Sequence, residues 1–165
     1  MQTHFTADTH FGHENIIKYC KRPFKSTKIM NDTLIRNWNQ RVKKNDLVIF
    51  LGDFCHTKDA PETYLQYLNG HITFIKGNHD HNNSLNTPIE YLVVKQANLY
   101  AFCVHDPRDF NNSFYLNLTA HVHEKWKVRK IYNCYLVNVG VDVWNYSPTN
   151  INEILAVIEE YKKCQ

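Results

Sequence analysis

The sequence predicts an α/β (α+β) fold in which two β-sheets pack together as a sandwich and helices lie outside. In the first half, short apolar runs alternate with segments of helical period; beyond residue 90 nearly every apolar run has the length and branched composition of a strand. No repeat, low-complexity tract or linker interrupts the 165 residues, so one domain over 1–165 is expected.

Taken in order, residues 2–7 are expected as a strand ending at Asp8, and 14–20 as a short helix. Met30, Leu34, Trp38 and Val42 recur every four residues and predict a helix over 29–42 with one buried stripe. Residues 46–51 (DLVIFL) read as a buried strand stopped by Gly52-Asp53. A helix is expected over 60–68, ended by Asn69-Gly70, and a strand over 71–76, ended by Gly77-Asn78. After a loop at 81–88 come strands at 91–96 and 99–104 around Ala97-Asn98, then a polar loop at 107–113. Strands at 115–120 and 132–139 flank a basic turn region. The last helix, 151–162, has Asn150 and Glu153 placed as cap and N3 partner, with Ile154, Leu155, Ile158 and Tyr161 as its apolar face.

Composition narrows the function classes. An apolar fraction of 43% suits a globular core, and no run approaches the ~20 apolar residues of a membrane span. The start Met-Gln-Thr-His lacks the basic and apolar regions of a secretory signal. Five cysteines, an odd number without a CxxC pair, fit a reducing compartment, so a cytoplasmic location is expected. A net charge of +3 accommodates an anionic substrate but is far from that of a nucleic-acid-coating protein.

The chemistry sits where the strands stop. Asp8 and His10 follow the first strand, Asp53 the second and Asn78-His79-Asp80 the third; His105 follows a later strand, and His121 and His123 another. In layered α/β folds ligands bind beyond the carboxyl ends of strands, so these side chains can converge on one rim. Singly, most of these signals are weak. With nine Asp and ten His, a D-x-H pair arises by chance roughly half a time in a chain of this length. The tetrad Gly77-Asn78-His79-Asp80 is different, with a chance expectation of about 0.002.

The order D-x-H, GD, GNHD, lone His, H-x-H, running from Asp8 to His123, resembles the calcineurin-like metallophosphoesterase superfamily. Asp-Thr-His-Phe-Gly-His-Glu-Asn-Ile near the start and Asn-Val-Gly-Val-Asp-Val-Trp-Asn-Tyr near the end resemble its small phage- and prokaryote-type branch. The resemblance implies a four-layer sandwich and a dinuclear phosphoesterase. Asp8, His10 and His123 would hold one divalent metal, Asn78, His105 and His121 the other, and Asp53 would bridge them. Carboxylate, amide oxygen and imidazole suit manganese foremost, with iron, nickel or zinc as alternatives. Two such ions would clamp an in-line displacement and acidify a bridging water to hydroxide. His79 would act as general acid, with Asp80 either orienting its ring or capping a turn.

Two departures from the family pattern concern geometry. Ala120 stands where the family has Gly before H-x-H, and Asp106 adds a carboxylate beside His105. Around the core set, His13 is a candidate phosphate contact, or else a capping or surface residue. Arg22 is a candidate bidentate phosphate clamp, or else a solvated side chain. Lys125, Lys127, Arg129 and Lys130 are a solvated hairpin or a nucleic-acid contact, and Trp144-Asn145-Tyr146 a packing element or a base-stacking surface. The expected substrate is a phosphodiester, with a monoester next; a small phosphate ester or nucleotide is the expected partner. A nuclease and a metal-free interaction scaffold are the competing readings, and the complete ligand series weighs against the scaffold.

Overall fold

A computed structural model describes residues 1–80, 85, 87–96 and 98–164. The expected loop at 81–88 and the turn residue Ala97 fall largely outside that range.

The first sheet runs β3-β2-β1-β9. Strand β1 (Thr3–Thr6) pairs in parallel with β2 (Leu47–Phe50), and β2 with β3 (His71–Phe74); the short β9 (Thr149–Asn150) lies antiparallel to β1. Helices α1 (Glu14–Tyr19) and α2 (Thr27–Arg41) connect β1 to β2, and α3 (Glu62–Leu65) connects β2 to β3. The second sheet runs β4-β5-β6-β8-β7. Its strands are β4 (Tyr91–Gln96), β5 (Leu99–Val104), β6 (Leu116–Thr119), β7 (Val128–Ile131) and β8 (Cys134–Asn138), with β5, β6 and β8 mutually parallel.

Two-residue periodicity divides the core. Ile49 and Leu51 of the β2 run, with Phe5 and Ile75, face Cys103, Leu118 and Val137 of the second sheet. The alternate residues Val48 and Phe50 face Met30, Leu34 and Trp38 of α2. The four-residue stripe is thus the buried face of α2, and Ser26 caps it by accepting the Ile29 N–H. Helix α4 (Ile151–Lys163) buries Ile154 and Ile158 in the layer between the sheets and starts with the expected capping box of Asn150 and Glu153. The two sheets flanked by helices are therefore as expected.

Three local expectations are corrected. The third helix is only Glu62–Leu65, because the chain then tightens into i→i+3 bonds at Tyr67 and Leu68. Leu155 lies exposed rather than on the buried face of α4. The basic region contains an edge strand, β7, and its cations lie over aromatic rings: Lys127, just before the strand, over Trp144 at 3.7 Å and Arg129 within it over Trp126 at 5.0 Å. Among the described residues no helix is long and apolar enough to cross a membrane.

Candidate metal centre

The parallel strands β1, β2, β3, β5 and β6 all end at one rim, and the residues that stop them meet there. Past β1 and β2 the two loops zip together: His10 N–H donates to Asp53 O, Phe11 N–H to Phe54 O and His56 N–H to Phe11 O. This pairing sets Asp8, His10 and Asp53 side by side in the interior, each at most 1% exposed.

The seven residues form two adjacent groups. Asp8, His10 and His123 have potential ligand atoms within 4.8 Å of one another, and so do Asp53, His105 and His121. Asn78 Oδ1 lies 3.0 Å from His105 Nε2 and 2.8 Å from His121 Nδ1, which joins it to the second group. Asp53 Oδ2 lies between the groups, 3.5 Å from His10 Nε2 and 3.4 Å from His105 Nε2.

Three of these atoms, Asp8 Oδ1, His10 Nε2 and Asp53 Oδ2, are buried and make no hydrogen bond. Buried polar atoms are nearly always paired, so orphans at one spot point to a missing electrophile. Carboxylates, an amide oxygen and imidazoles, without a thiolate, fit divalent ions of borderline softness. The geometry agrees with that role: the Leu51 carbonyl can only accept, so His105 Nδ1–H donates to it at 2.6 Å and Nε2 is the nitrogen left to take a metal once deprotonated.

Electrostatics follow from burial and proximity. Burial holds His10 well below its ordinary pKa, and raises Asp8 to about 6 against the pull of His105 and His123. Burial would raise Asp53 too, but His105 and His10 outweigh it and keep the carboxyl below the usual range. Cys55 is pushed up to about 12 by burial, which makes it packing rather than a thiolate.

Of the two roles open to Asp80, orienting the His79 ring or capping a turn, the backbone bonds it accepts fit the second. Its carboxylate accepts the backbone N–H groups of Gly77, Asp53 and Phe54 at 2.9, 2.8 and 3.2 Å, clamping the Asp53 and Asn78 loops together. His79 is exposed at the rim, its backbone N–H donating to Asp53 Oδ1 at 2.8 Å. It lines a hollow of about 160 Å³ with His10, His13 and His56, so His13 joins the site. On the other side, Asn78 and His105 open into a cleft of about 400 Å³ that also contains Glu90, Tyr91, Asp106 and Asp109.

Arg22 is not a phosphate clamp. It is 4% exposed, and its guanidinium is spent on Asp142 and on backbone carbonyls. Asp106 does not supplement a metal: its carboxylate caps the following turn and pairs with Arg108. Ala120 is buried without a positive φ; the left-handed residues are His121 and His123 themselves, at +70° and +50°. Trp144 is half-buried, with Nε1 donating to Asn138 O and Lys127 over its ring, and serves packing.

Sequence reasoning missed Asp142 and Gly140. Asp142 follows β8 as Asp53 follows β2, so the strand-end rule could have found it. Gly140 is required by close approach: a Cβ there would stand 2.6 Å from Asp8 Oδ2.

Known proteins resemble this chain over nearly its whole length. The model of the calcineurin-like phosphoesterase family matches residues 1–156. An uncharacterized protein of Methanocaldococcus jannaschii, MJ1445, is 39% identical, with 94% of this chain and 90% of that protein covered. Among solved structures, the protein of unknown function AQ665 from Aquifex aeolicus has a TM-score of 0.72 at 24% identity, covering 94% of this chain and 98% of that one. Vps29 from Entamoeba histolytica, solved in complex with zinc, has a TM-score of 0.50 at 18% identity over 85% of this chain and 74% of its own. Both likenesses bear on the fold.

Proposed function

The chain belongs to the calcineurin-like phosphoesterase family, and on that footing we propose that it hydrolyses phosphodiesters with two divalent metal ions. Asp8, His10 and His123 would hold one ion and Asn78, His105 and His121 the other, with Asp53 available to both. Manganese is the foremost candidate, ahead of iron, nickel and zinc. The observation that carries this reading is the convergence of three buried, unpartnered atoms, Asp8 Oδ1, His10 Nε2 and Asp53 Oδ2.

When bound, the ions polarise the phosphoryl oxygens and supply a hydroxide at neutral pH. The chain's own residues do the rest. His79, anchored through its backbone to Asp53, stands at the rim and donates a proton to the leaving oxygen. The leaving group therefore lies on the side of the hollow lined by His13 and His56. The group that stays on phosphorus occupies the larger cleft beside Asn78, where the exposed ring of Tyr91 offers a flat apolar surface. Room on both sides of the ligand cluster favours a diester over a monoester, and a small phosphate ester or nucleotide over a polymer.

The test is hydrolysis of bis(p-nitrophenyl) phosphate and p-nitrophenyl phosphate by metal-stripped protein reloaded with manganese, nickel or zinc. The diester should be the better substrate by kcat/KM, and His79→Ala should slow its turnover about 10²-fold while retaining metal. Faster hydrolysis of the monoester would overturn the diester reading.

A further inference from the structure

Arg22 occupies a position that neither the phosphate chemistry nor the ligand list explains. A guanidinium has five N–H donors, and all five are matched here in a buried site. Nε donates to Asp142 Oδ1 at 2.8 Å and Nη2 to Asp142 Oδ2 at 2.9 Å. Nη2 also donates to the Asp8 carbonyl at 2.7 Å. Nη1 donates to the Thr9 carbonyl at 3.0 Å and meets Met30 Sδ at 3.4 Å. The charge is balanced by Asp142, whose side chain is 1% exposed, so the pair does not repel a cation nearby.

Among the described residues, each hydrogen bond of this guanidinium except that to Met30 leads to one half of the centre. The Asp8 and Thr9 carbonyls belong to the stretch that presents Asp8 and His10, and both of those residues are left-handed, at φ +57° and +47°. Asp142 Oδ2 accepts from His123 Nδ1 at 3.0 Å, which leaves Nε2 as the nitrogen that would take a metal of the Asp8–His10 group once its proton is lost. Among the described residues no hydrogen bond joins Arg22 to the Asn78–His105–His121 half, which meets the first through the His121 N–H donating to Asp8 Oδ2 at 3.0 Å; Asp80 and the Leu51 carbonyl secure that side.

The geometry points to Arg22, acting through Asp142, as the positioning residue of the Asp8–His10–His123 half alone, so that its loss weakens one metal and spares the other. This inference rests on the two-metal reading above. Cys20 has its potential ligand atom within 4.8 Å of those of His123 and Asp142, and no metal is assigned to it.

The experiment is calorimetric titration of metal-stripped protein with Mn²⁺ for wild type, Arg22→Lys, Arg22→Gln, Asp142→Asn, His123→Ala and Asp142→Asn combined with His123→Ala. Wild type should bind two ions. Arg22→Lys keeps a charge for Asp142 but loses the fork, and should bind one ion normally and the second roughly 10–100-fold more weakly. If either Arg22 variant fails to give a cooperative melt, Asp142→Asn, which keeps shape and an acceptor oxygen, decides the matter. It should weaken the same ion, and it should cost little when added to His123→Ala, since the carboxylate acts through that ring. Absorption of Co²⁺-loaded protein should change for one ion only. Two ions at wild-type affinity in a folded Arg22 or Asp142 variant, or equal weakening of both, would overturn the inference. A wild type that binds fewer than two ions would instead refute the two-metal reading.

Discussion

The Nε2 of His10 and the Oδ2 of Asp53 stand 3.5 Å apart in the interior, and neither makes a hydrogen bond. Because burial keeps the His10 ring neutral, their approach is no ion pair. An unsatisfied buried polar atom costs ~1–3 kcal/mol, so the fold carries a local debt at this spot. A bound cation would satisfy both atoms at once.

Loading should therefore stabilise the protein strongly. With free metal at about 100 times its dissociation constant, linkage gives about 2.7 kcal/mol. For a chain of this size that is a rise in Tm of roughly 5–10 °C. Melting curves in chelator and in manganese measure it, and coincident curves would mean that these atoms are not metal ligands.

Backbone strain marks the same residues. Five of the seven candidate ligands, Asp8, His10, Asp53, His121 and His123, have φ between +47° and +70°. Each left-handed non-glycine residue costs ~1–2 kcal/mol. His121→Gly relieves one such position where the side chain is only half-buried. The metal-stripped variant should melt no lower than stripped wild type, while binding in its half of the centre weakens. A drop of several degrees in the stripped protein would show that the position is unstrained.

Acid–base behaviour gives a further signature. Burial alone would lower His123 and His105, but Asp142 raises the first to about 10 and Asp53 raises the second to about 9. In the metal-free fold both rings are therefore protonated at pH 7, and their pairing stabilises it below the ordinary histidine pKa of ~6.5. That stability is lost as pH rises through about 9 to 10. Metal requires the bare nitrogens, so binding at pH 7 should release protons and tighten as pH is raised. Titration calorimetry in two buffers of different ionisation enthalpy counts the protons, and identical heats would contradict the assignment.

How much of this was legible in the sequence depended on distance along the chain. Strand ends announce themselves locally, through apolar runs stopped by Gly-Asp or Gly-Asn, so Asp53 and Asn78 were readable, as was the Asn150–Glu153 cap. The partners that hold the ligands were not. Arg22 finds Asp142 at a separation of 120 residues, and no local pattern separates a buried guanidinium from a solvated one. For Asp80 the local pattern left two roles open, orienting His79 or capping a turn, and gave no sign of the backbone of Asp53 and Phe54 that the fold brings to it. Ala120 also misled as a departure: the unusual φ angles fall on His121 and His123, and a methyl group at 120 is simply packed.

The claim at the centre of this account is that Asp53 is shared by two metal ions. Its most direct test is turnover of bis(p-nitrophenyl) phosphate by manganese-loaded Asp53→Asn beside wild type, with metal content measured on the same samples. The account predicts two ions in wild type, and in the variant a loss of metal together with a fall in kcat of at least about 10²-fold, on the order of 3 kcal/mol of barrier. Wild-type turnover and two tightly held ions in Asp53→Asn would contradict it.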